Sequence, residues 1–402
     1  MKNRSGEVIF LNRGEQLGQR AATGVSLHCH TLHSKELLDF VPYYANRIPV
    51  ASFFWKREMR RYKEQNGSVP DFKSGYWEPP LTGPAVFESE SKSLASMGLA
   101  SIVSITDHDS ISGTLELRRA KDASCAPISL EWTLPFENAF FHIGVHNLPI
   151  ERAEAITRDL LEYSFSKCVP DSKGLVELLE MLNELPCALV VLNHPIWDIE
   201  MIGQQEHERV LSRFLDHHAQ WIHALEINGF RSWQENQAVI DLAESIRKPI
   251  ISGGDRHCCQ ANTMVNMTDA MSFEEFVSEI RTDGQSRVVV TPGYHVSLPV
   301  RQLRSMAQIL ANYKHFPAAR RLWSDRVFLD YHDGQGLRSL TDSWGDKNPL
   351  WTYFAFFALS TLAHPIMEPF ISLSVGDNDI GREETKAGLT AFPISETALL
   401  AE

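Results

Sequence analysis

Ser26-Leu27-His28-Cys29-His30-Thr31-Leu32-His33 is the stretch whose reading decides the fold. Val25-Ser26-Leu27 is apolar enough for a buried strand, and Thr31 begins a loop. Side chains on a strand alternate faces with period two, so His28 and His30 share a side and can address one metal ion. Alone, such a pair is more often incidental than ligating. Later apolar runs stop in the same way. Ile102–Thr106 precedes Asp107-His108-Asp109, Pro127–Leu130 precedes Glu131, Ala188–Leu192 precedes Asn193-His194-Pro195, and Pro249–Ser252 precedes Gly253-Gly254-Asp255-Arg256-His257. A further strand, Phe140–His146, carries His142 inside it, and Ala224–Asn228 and Val288–Val290 complete the set.

Helical stretches separate these strands: Ser112–Ala123, Ala153–Ser164, Gly174–Leu185, Glu206–His217 and Gln234–Ile246. Short apolar strands alternating with helices predict parallel strands joined by crossover helices. About seven such units predict an α/β fold of the distorted (β/α)7 TIM-like barrel kind, whose chemistry gathers where strands end. The barrel is expected over residues 24–297, after a lead-in at 1–23 whose Val8–Leu11 run suits a short strand or arm. An insertion at about 36–83 interrupts it, with a basic helical stretch at Lys56–Lys63 and a Pro-, Gly- and aromatic-rich segment, Ser68–Pro84, read as irregular loop. The basic stretch reads first as a solvated face and second as a substrate-facing lid. Residues 298–402 form a mainly helical C-terminal extension without a chemical motif, able to pack on the barrel or to mediate self-association.

Composition narrows the function classes. A formal charge of -13 over 402 residues argues against broad nucleic-acid affinity, which needs a basic surface. It leaves anionic small molecules open, because bound cations reverse the field inside a cleft. Six cysteines without a C-x-x-C pair speak for a reducing compartment rather than a disulfide framework. No apolar leader follows Met1, and Trp351–Ala363 is too short to span a bilayer, so it reads as a buried helix. A cytoplasmic protein with no membrane partner is the expectation.

Imidazoles and carboxylates suit borderline cations such as zinc, manganese and iron. Each of these residues singly has an ordinary alternative as a hydrogen-bonded core side chain. Jointly that alternative is poor, because strand after strand would stop at His, Asp or Glu by chance. The order H-x-H, T-D-H-D, a strand ending in Glu, a strand-borne His, N-H-P and G-D-x-H resembles the PHP (polymerase and histidinol phosphatase) family over about residues 24–295. The resemblance implies a metal-dependent phosphoesterase with two or three divalent ions, zinc, manganese or iron, acting on a phosphorylated small molecule through metal-activated water. It implies that His28, His30, Glu131 and Asp255 hold one ion, and that Glu131 bridges to a second held by His142 and His194. A third ion would take His108, His257 and an acidic or histidine residue soon after the H-x-H.

One departure matters. Lys35 stands where the resemblance places the third ion's aspartate. A protonated lysine has no lone pair to ligate with. The favoured reading is therefore a binuclear site in which Lys35 replaces the third charge and binds a phosphate oxygen. Otherwise His33, Glu36 or Asp39 supplies the ligand, or the site is impaired. Arg231, on a later rim loop, is a second candidate for phosphate, and His257 or His108, if free of metal, can protonate the leaving oxygen. Asp107 and Asp109 either orient a ligand imidazole or cap the next helix. Arg256 stands where the family has a small residue, and its side chain should point away from Asp255 and His257. His146 shares the face of His142. Two readings from other classes remain: a PHP-type exonuclease acting on nucleic acid, and a non-catalytic metal-binding or regulatory domain.

Overall fold

The computed structural model describes residues 6–375 except 39, 48, 121–122, 167–171, 315, 317, 333 and 345–349. In chain order its strands are β1 Glu7–Phe10, β2 Thr23–Cys29, β3 Glu36–Leu37, β4 Asp71–Trp77, β5 Ala100–Ile105, β6 Leu130–Phe136 and β7 Ala139–His146, then β8 Leu189–Leu192, β9 Ala224–Asn228, β10 Ile250–Gly253, β11 Met264–Thr268, β12 Arg287–Val290, β13 Val327–Asp330 and β14 Leu337–Ser339. They form three sheets. Their orders are β1-β12-β11-β2-β5, β10-β9-β8-β7-β6 and β14-β13-β4-β3.

The fold is α/β, but the expected (β/α)7 TIM-like barrel is not what forms, because among the described residues none of the sheets closes. Nor are the strands uniformly parallel. β11 runs antiparallel to both β12 and β2, and β6-β7-β8 is an antiparallel meander. Only Glu137 and Asn138 separate β6 from β7, whereas a parallel connection needs a dozen or more residues. Two seams keep the five-stranded sheets apart. Between β2 and β10 a side chain does the work of a ladder: Ser252 N donates to Asn266 Oδ1 at 2.8 Å, and Asn266 Nδ2 donates to Ser252 O at 3.1 Å and to Val25 O at 3.3 Å. Between β5 and β6 there is one isolated bridge, His108 with Glu131. Below it Ser104 Oγ lies 2.8 Å from both Ser129 Oγ and His146 Nδ1.

Local chemistry explains the surrounding elements. β8 is an unbroken buried run, Leu189-Val190-Val191-Leu192, flanked on both sides by partners. Helix Trp233–Ser245 starts from a capping box between Ser232 and Glu235, and helix Gly83–Ser96 starts from Thr82 with Pro84 in its first turn. The main core joins β6–β9 to the helices Ala153–Ser164, Ser172–Asn183, Gln204–His218 and Trp233–Ser245.

Two further readings need correction. The segment 68–84 contains β4, whose Phe72, Tyr76 and Trp77 stand among small or charged residues, a composition that a half-buried sheet accepts. The insertion also meets the C-terminal extension, because β3 and β4 share a sheet with β13 and β14. Helix Leu350–Leu362 is not buried: Phe354 is 75% and Phe357 72% exposed, since the helix packs one side on helix Leu298–Ile309. Among the described residues no single helix is long and apolar enough to cross a membrane; Thr352–Leu362 and Pro365–Ile371 meet that composition only together, across a 63° bend. The five described cysteines are free thiols, and Cys168 lies outside the described residues.

Candidate metal centre

The two seams meet where the donor residues gather. β2 delivers His28 and His30, the turn after β5 delivers His108, and β7 delivers His142. His194 follows β8, and Asp255 and His257 follow β10. Glu131 was expected at a strand end, but β6 starts at Leu130, so it stands at the strand's beginning, bridged to His108. Backbone strain is concentrated here. His28, Asp109, His194 and Asp255 have φ of 62°, 53°, 28° and 52°, a left-handed region that costs a non-glycine residue of order 1–3 kcal/mol. Gly253 and Gly254 are required for a different reason: a Cβ on them would sit 2.0 Å from Glu226 Oε2 and 1.7 Å from Asn262 Oδ1.

Glu131, wholly buried, is the hub. Its Oε2 lies 2.9 Å from His28 Nε2, 3.4 Å from His30 Nε2 and 3.3 Å from His108 Nδ1. Its Oε1 lies 3.2 Å from His142 Nδ1 and 3.3 Å from His194 Nε2, and accepts from Asn193 Nδ2 at 2.9 Å. Asp255 Oδ1 is 3.6 Å from His28 Nε2 and 3.7 Å from His30 Nε2. Three overlapping groups result whose donor atoms all lie within 4.8 Å of one another: His28, His30 and Glu131; His108, Glu131 and His142; and His30, Glu36, His108 and His257.

The donor set fits divalent cations. Ser34 Oγ donates to Glu36 Oε1 at 2.6 Å, so the 3.2 Å contact between His30 Nδ1 and Ser34 Oγ has the imidazole as donor. That leaves the Nε2 lone pair facing carboxylate oxygens, and His30 Nε2 has no hydrogen-bond partner, nor has His142 Nδ1. Lone pair against lone pair is repulsive, and a cation between them removes the conflict. The titration behaviour agrees. Burial holds His30 down to about 3 and His142 to about 4, as neutral ligands require. Burial also disfavours charge on His28 and His108, but nearby carboxylates prevail: Glu131, Glu226 and Asp255 raise His28 well above its usual value, and Glu36 and Glu131 raise His108 to about 10. Glu131, Glu36 and Asp255 stay well below the carboxylate range despite burial, because imidazoles surround them. These protons occupy places that a metal ion would take, so metal uptake must release protons.

The third group turns on one residue of β3. Glu36 points inward, with Oε2 3.0 Å from His257 Nε2 and 3.3 Å from His108 Nε2. Lys35, one position earlier on the extended backbone, is exposed, with Nζ 5.0 Å from the centre of the Tyr76 ring. It is not among the residues brought together. His33 turns to Glu116 at 3.3 Å, and Asp39 lies outside the described residues. Arg231 reaches the rim, with its guanidinium 3.6 Å over the Trp197 ring, Nη2 3.9 Å from Asp255 Oδ2, and Nε without a hydrogen-bond partner. Asp107 holds Thr31, its carboxyl pushed up to about 7 by burial, and Asp109 accepts from Thr133 N. His146 packs beneath the centre, its Nδ1 on Ser104.

Sequence reading passed over Glu226, whose Oε2 is 2.6 Å from His28 Nδ1 and whose Oε1 accepts from Asn228 Nδ2 at 2.6 Å. A carboxylate behind an imidazole fixes its tautomer and raises its basicity. The signal was present: Glu226 is the one ionisable group in the wholly buried Ala224–Asn228. Ser34, which links His30, Glu36 and His108 N, was also passed over.

No protein-family model and no curated protein matches this chain. Among solved structures, a chain of Bifidobacterium adolescentis provisionally described as a metal-dependent phosphoesterase is 13% identical, with a TM-score of 0.33, over 64% of this chain and 96% of its own. PsfC of Pseudomonas syringae is 14% identical, with a TM-score of 0.32, over 68% and 93%. An amidohydrolase of Chromobacterium violaceum with bound sulfate and no metal is 16% identical, with a TM-score of 0.28, over 44% and 83%.

Proposed function

We propose that the chain is a metal-dependent hydrolase of phosphate esters, with two divalent cations around Glu131 and a third place at Glu36. The observation that carries this reading is the sharing of donors. One buried carboxylate contacts five imidazoles, and His30 and His108 each belong to two donor groups. Closely spaced cations of this kind supply an activated water and neutralise charge on the transferring phosphoryl group.

The chain's own residues do the rest. Glu226 and Ser34 fix which nitrogen of His28 and His30 faces the centre. Arg231, held flat by Trp197 at the rim, supplies a planar cation for phosphoryl oxygens. With two cations bound, His257, anchored on Glu36, keeps a proton for the leaving oxygen; with three, His257 and Glu36 are ligands. Glu36 thus takes the place in which Lys35 was expected to substitute a charge. Zinc, manganese and iron all suit this donor set. The acidic balance favours small phosphorylated substrates over nucleic acid.

The test is to load purified protein with manganese or zinc, count metal equivalents, and assay phosphate mono- and diesters beside single-stranded oligonucleotides. Metal-dependent cleavage of small esters is the expected result. Cleavage confined to oligonucleotides would transfer the assignment to an exonuclease. A fully loaded protein inert on every ester would leave the non-catalytic reading in its place.

A further inference from the structure

Arg256 lies between Asp255 and His257, and its main chain spans the seam to β2. His30 N donates to Arg256 O at 2.8 Å, and Arg256 N donates to His28 O at 3.2 Å, so that Arg256 forms an isolated parallel bridge with Cys29. Four donors therefore flank a single bridge: His28 and His30 on one side, Asp255 and His257 on the other. Their spacing is set by that bridge and by one further main-chain bond, Gly254 N to Leu27 O at 3.1 Å, and among the described residues the two strands form no ladder beyond these.

The side chain of Arg256 leaves on the opposite face and ends in a buried ion pair. Nη1 donates to Glu90 Oε1, Nη2 to Ser89 Oγ at 3.1 Å, and Nε to Cys258 O at 2.9 Å. Glu90, wholly buried on helix Gly83–Ser96, also accepts from Ser26 Oγ on β2 at 2.8 Å and from Asn262 N at 3.1 Å. Asn262 Nδ2 in turn donates to Leu27 O at 2.9 Å. One carboxylate thus ties the helix, the ligand strand and the 256–262 loop together. Burying such a pair is costly, and well-packed apolar residues would often be at least as stable. Stability alone is therefore a weak reason for its presence, and the strained φ of the adjacent Asp255 gives it another task.

We infer that the Arg256–Glu90 pair is a positioning device that sets the distance between the two donor pairs and thereby the metal affinity of the centre. Neither residue touches the donor atoms; they act through the bridge. The inference rests on the metal-dependent reading above. Its test uses zinc or manganese alone, with affinity measured by chelator competition and melting measured on the metal-free chain. The double variant Glu90→Met/Arg256→Met and the near-isosteric Glu90→Gln are compared with the unaltered protein. The double variant should melt close to the unaltered protein yet bind metal about tenfold or more weakly, the lower end of the range for residues that orient ligands. Glu90→Gln should lie between. Unchanged metal affinity in folded Glu90→Gln and in the double variant, whatever their melting, would overturn the inference and leave the pair a stability element. If the double variant does not fold, Glu90→Gln decides alone. Absence of metal uptake by the unaltered protein would instead overturn the functional reading on which the inference rests.

Discussion

β8 and β10 are both four-residue strands, and they are built on opposite terms. β8 has ladders on both edges and four buried aliphatic side chains. β10 has a ladder only to β9, and on its other edge the amide of Asn266 substitutes for a strand. Where the ladder is complete, volume decides which residues fit. Where it is interrupted, hydrogen-bonding capacity decides, and the interruption opens space for polar donors. Of the strained candidate donors, Asp255 follows the interrupted β10 and His28 sits at the register shift of β2, whereas His194 follows the complete β8.

Perturbing each region should separate stability from metal binding, and the effects can be ranked. Phe214→Ala, in the fully buried contact between helix Gln204–His218 and the meander, should cost about 3–5 kcal/mol in urea unfolding and leave metal per folded chain unchanged. Lost metal affinity in the folded fraction would break the comparison. Glu131→Gln should do the reverse, weakening metal binding more than about 100-fold, beyond the range of outer partners, while shifting the metal-free unfolding midpoint less than Phe214→Ala does. Normal metal uptake would remove Glu131 from the centre. Asn266→Leu should fall between the regions, because it strips Ser252 of both main-chain partners; a loss of about 1–3 kcal/mol is expected, together with weaker metal binding three residues on at Asp255. An unchanged melting point would make the seam an ordinary sheet edge.

The smallest effect is a dependence on pH far from the centre. His223 accepts from Val190 N and is held neutral by burial, its pKa lowered to about 3. The unfolded chain protonates near 6.5 and the folded one does not, so stability falls as pH drops from about 6.5 toward 3. Between pH 7 and 5.5 the loss is roughly 1 kcal/mol, from about one pKa unit of differential protonation. His223→Gln should flatten that slope in urea titrations, and an equally steep slope would assign the acid sensitivity to other groups.

The elements legible in the sequence were those that a local pattern defines. β2, β5, β7, β8, β9, β10 and β12 all fall on runs that alternate or stay apolar, and the donor residues at their ends were visible as types. The pairing was not legible, because direction depends on partners remote in sequence. β11, Met264-Val265-Asn266-Met267-Thr268, carries an asparagine that looks like a strand breaker and is in fact the seam itself. In the sequence, position points to Lys35 for the third place, with Glu36 beside His33 and Asp39 as the alternatives. What separates Lys35 from Glu36 is the pleat of a two-residue strand whose existence depends on β4.

That dependence has a kinetic side. β3 pairs with β4, β4 pairs with β13, and β1 pairs with β12, so two of the sheets join segments from opposite ends of the chain. Contacts this distant raise contact order and must overcome the entropy of closing a long loop before they give anything back. We expect the meander to protect its amides first during refolding and β4 last, as pulsed hydrogen exchange would show; simultaneous protection would refute it. A nascent chain released before residue 327 would then carry Glu36 on an unsupported edge, able to fold its core and still lack the third corner of its centre.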